Sequence, residues 1–105
     1  MTLRLILCNC PPSHAMPLAE QIVEKRLGAC VNIAGPIQSV YRWDGALQSE
    51  TELTLQIKTT AERYSELVNF LETEHPYDLP EIIGVDLPHV SAAYGNWVIQ
   101  ETTDA

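Results

Sequence analysis

Two thiols, Cys8 and Cys10, stand two residues apart near the start of the chain. In an extended strand that spacing projects both from one sheet face, and two soft ligands so placed suit Cu(I) or another thiophilic ion. A structural metal site asks for four ligands, and the sequence offers neither a C-x-x-C pair nor paired histidines. The plainer role of each thiol, Cys30 included, is that of a small buried apolar side chain. The densest polar segment is His75-Pro76-Tyr77-Asp78-Leu79-Pro80-Glu81. Its prolines fix φ, so a short connection is held on a defined path that carries a histidine, a tyrosine and carboxylates. His75 directly follows a helical pattern, where an imidazole either meets the negative end of the helix dipole or serves as a metal ligand. Glu74 and Asp78 lie close enough in sequence to add oxygens. His14 and His89 read as solvated loop residues.

Other polar residues suit binding better than catalysis. Lys58 ends a strand pattern beside a helix start, where it could hold an anion together with the helix N-terminus or simply guard a sheet edge. Tyr41 and Trp43 share a strand face, with Arg42 between them, and form an interface patch if exposed or core if buried. There is no G-x-S-x-G, no phosphate-cradling glycine loop and no H-E-x-x-H. The serines lack evident His-Asp partners, so no residue supports an enzyme.

These residues need elements to place them. Residues 3–9 alternate as a strand, with Leu3, Leu5 and Leu7 on one face and Ile6, Cys8 and Cys10 on the other. A helix follows to about Leu27, with an apolar stripe of Ala15, Leu18, Ala19, Ile22, Val23 and Leu27 and with Gly28 as its C-terminal cap. Pro17 must then lie in the first turn, which puts the start near His14 to Met16. Residues 29–43 read as a long strand, bulged at Gly35-Pro36 and turned at Asp44-Gly45. Behind the turn, Leu47, Thr51, Leu53, Leu55 and Ile57 alternate with Gln48, Glu50, Glu52, Gln56 and Lys58, the pattern of a half-buried antiparallel strand. Thr59 and Glu62 have capping-box spacing for a helix running to about Glu74. A strand over 81–87 and a helix over about 91–102, burying Tyr94, Trp97 and Val98, complete the order. This is an α+β chain of ferredoxin-like βαββαβ order with an antiparallel sheet and an extra C-terminal helix.

The chain has 105 residues, the size of a single domain spanning residues 1–105, and is 46% hydrophobic. Six basic against fourteen acidic residues, net −8, argue against nucleic acid or anionic membrane partners. No apolar run is long enough to span a bilayer. The first residues lack a signal-peptide layout, and three cysteines fit a reducing compartment, so a cytoplasmic location is expected. A domain this small with a long hairpin gains from pairing with further copies of itself.

Several segments together resemble the CutA family of divalent-cation-tolerance proteins. They are Leu7-Cys8, Leu27-Gly28-Ala29-Cys30-Val31-Asn32, Tyr41-Arg42-Trp43-Asp44-Gly45 with Glu50 and Glu52, Lys58-Thr59-Thr60, His75 to Ile83, and Tyr94-Gly95-Asn96-Trp97-Val98. The resemblance covers nearly the whole chain in order. It implies a cytoplasmic homotrimer joined by β-strand pairing between subunits, similar in architecture to PII signalling proteins, with a role linked to copper and other divalent cations. It also implies Cys8 and His75 as metal ligands. Some members carry a second histidine just before the latter, where this chain has Glu74, the third candidate ligand. An alternative is a PII-like module that senses a small anionic ligand at a subunit cleft lined by Lys58, Tyr77, Glu81 and Trp97. A structural trimer with no small-molecule site is the remaining alternative.

Overall fold

The computed structural model describes residues 1–103. Its elements follow the order β1 (Leu3–Cys10), α1 (Pro12–Glu24), β2 (Cys30–Trp43), β3 (Ala46–Thr60), a 3₁₀ turn (Ala61–Arg63), α2 (Tyr64–Glu74), β4 (Ile83–Leu87) and α3 (Ala92–Glu101). The sheet order is β2-β3-β1-β4 and every neighbouring pair is antiparallel, which is the ferredoxin-like arrangement expected from the order of elements. Alternation decides which face each strand buries. Ile6, Cys8 and Cys10 of β1 and Leu55 and Ile57 of β3 pack with Ala15, Leu18 and Ile22 of α1 and Leu67 and Leu71 of α2. A second, smaller cluster joins Leu3 and Ala29 to Val98 of α3.

Four local expectations fail, each for a physical reason. Helix α1 starts at Pro12, earlier than expected, and carries Pro17 inside it. Pro12 needs no N–H partner in the first turn, and the bond that Pro17 cannot make falls on the solvent side, where Ser13 is exposed. Gly28 is not the helix cap, because Arg26 takes the left-handed conformation at φ 59° and the Leu27 N–H reaches back to the Ile22 carbonyl at 3.0 Å. Gly28 instead allows a close approach: a Cβ there would lie 2.7 Å from Cγ2 of Ile57. The Thr59–Glu62 capping box does not form, since the Thr59 hydroxyl donates to the Leu27 carbonyl at 2.7 Å and is fully buried. In α3, Val98 and Gly95 face inward, whereas Tyr94 and Trp97 stack on the outside with ring centroids 5.6 Å apart. A Cβ at Gly95 would lie 3.3 Å from Leu3, so the contact line runs along Gly95 and Val98 and turns the aromatics outward.

Two features shape what lies around the sheet. Strands β2 and β3 continue well past β1 as a hairpin arm, turned by Asp44 (φ 50°) and Gly45 (φ 75°), and a β-bulge interrupts their register between Ala34 and Ile37. On the side away from α1 and α2, Leu5 pairs with Val85 and Leu7 with Ile83. Val85 and Ile83 are more than half exposed, at 56% and 53%. No described helix is long and apolar enough to cross a membrane.

Candidate functional site

Strand β4 flanks β1 only from Leu3 to Leu7. Beyond that point the segment after α2 takes over, and the His75 imidazole binds the Asn9 carbonyl at 2.8 Å. The other ring nitrogen, Nδ1, accepts the Tyr77 backbone N–H at 3.1 Å. Nδ1 therefore carries no proton, so Nε2 holds it and donates to Asn9. This anchors the stiff 75–81 loop against the end of β1. It also brings His75 beside the residue that separates Cys8 from Cys10.

The three candidate metal ligands are differently placed. Cys8 is completely buried on the helix-covered face. Burial above all, then the neighbouring Cys10, Glu81 and Glu52, push its thiol up to about 12. Cys10 is pushed up to about 11 by burial and by Glu52. Both thiols are thus held in the protonated form, which is a poor ligand and a poor nucleophile. Neither His75 nitrogen has a free lone pair, and Glu74 is exposed at the end of α2. Among the described residues no group of three or more His, Cys, Asp or Glu side chains is placed to hold a metal ion. In this arrangement a copper ion would meet a protonated Cys8 thiol, a His75 ring with both nitrogens engaged and Glu74 at the surface.

The loop anchored by His75 faces the hairpin arm, and between them lies a cleft of about 810 Å³. Its lining includes Asn9, Tyr41, Arg42, Trp43, Glu50, Glu52, Tyr77, Asp78 and Glu81. Glu50 and Glu52 stand at i and i+2 of β3 and so share a face. The Tyr77 hydroxyl lies 3.2 Å from Glu50 Oε2 and 3.1 Å from Glu52 Oε2. Burial and these two carboxylates raise the Tyr77 phenol above its ordinary range. Tyr41 is raised in the same sense, by desolvation and by Glu50. Both phenols therefore stay protonated and act as donors. Glu52, which alternation placed on a solvent face, is only 5% exposed because Tyr77 and its loop cover it.

Of the four residues proposed to line an anion site, Tyr77 and Glu81 border this cleft. Lys58 and Trp97 are elsewhere. Lys58 lies six residues along β3 from Glu52, roughly 20 Å at strand rise, and its ammonium binds the Asn32 side chain. Trp97 stacks on Tyr94 in α3. Four carboxylates against the single Arg42 guanidinium make a field that repels anions. Sequence reasoning had assigned no role at a site to Glu50, Glu52 or Tyr41. Their signal in the sequence is a pair of glutamates on one strand face opposite an aromatic pair, within a segment that carries the family resemblance.

Residues 4–101 match the family model described as CutA1 divalent ion tolerance protein. The divalent-cation tolerance protein CutA of Thermus thermophilus is 36% identical over 88 residues, which are 84% of this chain and 85% of that protein. The chain spans between 53% and 68% of the length of its vertebrate relatives, which are named protein CutA or its homolog and are 36–37% identical. Among solved structures, the PII-like protein CutA from Nostoc sp. in apo form superposes with a TM-score of 0.89 at 33% identity, covering 95% of this chain and 97% of that one. A structure from Archaeoglobus fulgidus, titled as a periplasmic divalent cation tolerance protein CutA, superposes with a TM-score of 0.92 at 27% identity over 96% of this chain and 99% of that one.

Proposed function

The chain belongs to the CutA1 divalent ion tolerance family, and we propose that it serves there as a non-catalytic binding module, a one-domain cytoplasmic protein built like the PII-type regulators. Its working form is a homotrimer joined through the hairpin arms, and its ligand site is the acidic cleft between the arm and the 75–81 loop. The observation that carries this reading is the cleft itself, whose hard carboxylate oxygens from Glu50, Glu52, Asp78 and Glu81 attract cations. Copper binding by Cys8 and His75 is a second reading. It is favoured by the packing of His75 against Asn9, between the two thiol positions of β1, and it requires His75 to give up that hydrogen bond.

Paramagnetic mapping separates the two. Manganese(II) added to labelled protein is expected to broaden the amide signals of Glu50, Glu52, Tyr77 and Asp78 before others. Uniform broadening over all acidic surfaces would remove the cleft from consideration. In parallel, copper is titrated into wild type, Cys8→Ser, His75→Ala and Glu74→Ala. Equal affinity in all four dismisses the thiol–imidazole reading and leaves the cleft.

A further inference from the structure

The cleft holds a buried carboxylate with no cation beside it. Glu52 is 5% exposed, and its partner is the neutral Tyr77 hydroxyl. That hydroxyl has one proton and lies at hydrogen-bond distance from both Glu50 and Glu52, so it can serve only one of them at a time. Among the described residues, no lysine, arginine or histidine lies within 4.0 Å of either glutamate. Buried carboxylates are ordinarily paired with a cation or bound to a metal. A bare metal ion answers poorly here. No group of three or more ligating side chains surrounds the pair, and the oxygen between the two carboxylates is a protonated phenol. The space, about 810 Å³, has the size of a small-molecule site rather than of an ion.

The walls supply what a larger cation would use. Tyr41 and Trp43 come from one face of β2, are 37% and 43% exposed, and border the cleft with the glutamates. Aromatic faces beside carboxylates suit an organic cation, which gains from the ring quadrupole where a hydrated inorganic ion does not. Arg42 also borders the cleft but forms no ion pair with Glu50 or Glu52.

We propose that this cleft binds an organic ammonium ion, with its charged head between Glu50, Glu52 and the Tyr77 oxygen and its carbon chain along Tyr41 and Trp43. The proposal rests on the cleft being the ligand site. It goes further by naming the ligand's chemistry, and it opposes an anionic ligand.

Spermidine is the probe. Calorimetric titration at physiological ionic strength is expected to show saturable binding that falls about tenfold or more in Glu52→Gln, the loss expected for one charge-assisted hydrogen bond. Trp43→Leu, at an exposed arm position, is expected to weaken binding as well. It decides the matter if Glu52→Gln fails to fold. Equal spermidine affinity in wild type and both folded variants would overturn the proposal by reducing the effect to general attraction to an acidic surface. If manganese broadens the cleft amides while spermidine does not bind, the organic ligand is wrong and the cleft stands. If neither perturbs the cleft, both readings fall.

Discussion

Cys8 and His75 lie close together but do different work. The thiol is a core side chain, packed with Ile6, Leu55 and the two covering helices, and the imidazole is a clasp that closes the end of β1. A pH dependence follows from the thiols. Their folded values, about 12 for Cys8 and about 11 for Cys10, lie above the ordinary thiol value of 9.0. The folded state therefore binds these protons more tightly than the unfolded chain. The stability this confers is complete below pH 9 and disappears as pH rises from 9 toward 12. Thermal melts are expected to fall over that window, with a shallower fall in Cys8→Ala. Parallel slopes for the two proteins would show that the thiol does not drive it. The sequence marked Cys8 and His75 as chemically interesting, and the family resemblance paired them as metal ligands. It could not show that the hydrogen bonds of His75 were already satisfied, because Asn9 and Tyr77 reach the ring only once the chain has folded. Glu52 was misread for the same reason. Alternation assigns a strand face, but only tertiary structure shows that a loop lies over it.

At the level of elements, periodicity was enough for the strands and the helix stripes. Apolar alternation in β1 and β3 and the Asp44-Gly45 turn leave little freedom in the order of the sheet. End points and special residues were less legible, because they depend on what packs against them. Gly28 looks like a helix stop in the sequence, yet it lets the chain pass under Ile57 and Ile22, whose Cγ2 atoms would lie 2.7 and 3.0 Å from an added Cβ. Gly28→Ala is therefore expected to destabilise the fold by about 1–3 kcal/mol, the usual cost of overpacking a tight core. Denaturant unfolding measures this, and an unchanged midpoint would show that Ile57 moves aside without penalty. The outward-facing Tyr94 and Trp97 teach the same lesson, since helical spacing cannot tell which of two adjacent faces a glycine allows to approach.

The whole molecule is long for its size, at 45 × 25 × 20 Å with a radius of gyration of 14.3 Å, against about 13 Å for a compact chain of this length. The excess is the hairpin arm, which leaves Val40 and Leu47 exposed. On the sheet face away from α1 and α2, Ile83 and Val85 are similarly uncovered. Apolar surface of this extent on a small domain marks an interface, in keeping with the proposed trimer. Val85→Glu would bury a charge there. It is expected to shift the sedimenting species from three times the 11.7 kDa chain mass toward the single chain. A trimer that survives the change would place its contacts elsewhere.

The bulge in β2 carries a consequence for how this protein can vary. From Ala34 to Ile37 strand β2 advances three residues while its partner moves two, from Thr54 to Glu52. The extra residue inverts the odd–even parity of everything beyond it. Before the bulge Cys30 and Asn32 share the face of Lys58 and Gln56, whereas after it Ser39 and Tyr41 stand opposite Glu50 and Gln48. A single deletion between Ala34 and Ile37 that preserved the turn would remove the bulge and leave Tyr41 and Trp43 on the face of the glutamates, because the turn fixes Tyr41 opposite Gln48. The turn, not the first half of the strand, thus decides that aromatic rings rather than a guanidinium face the acids.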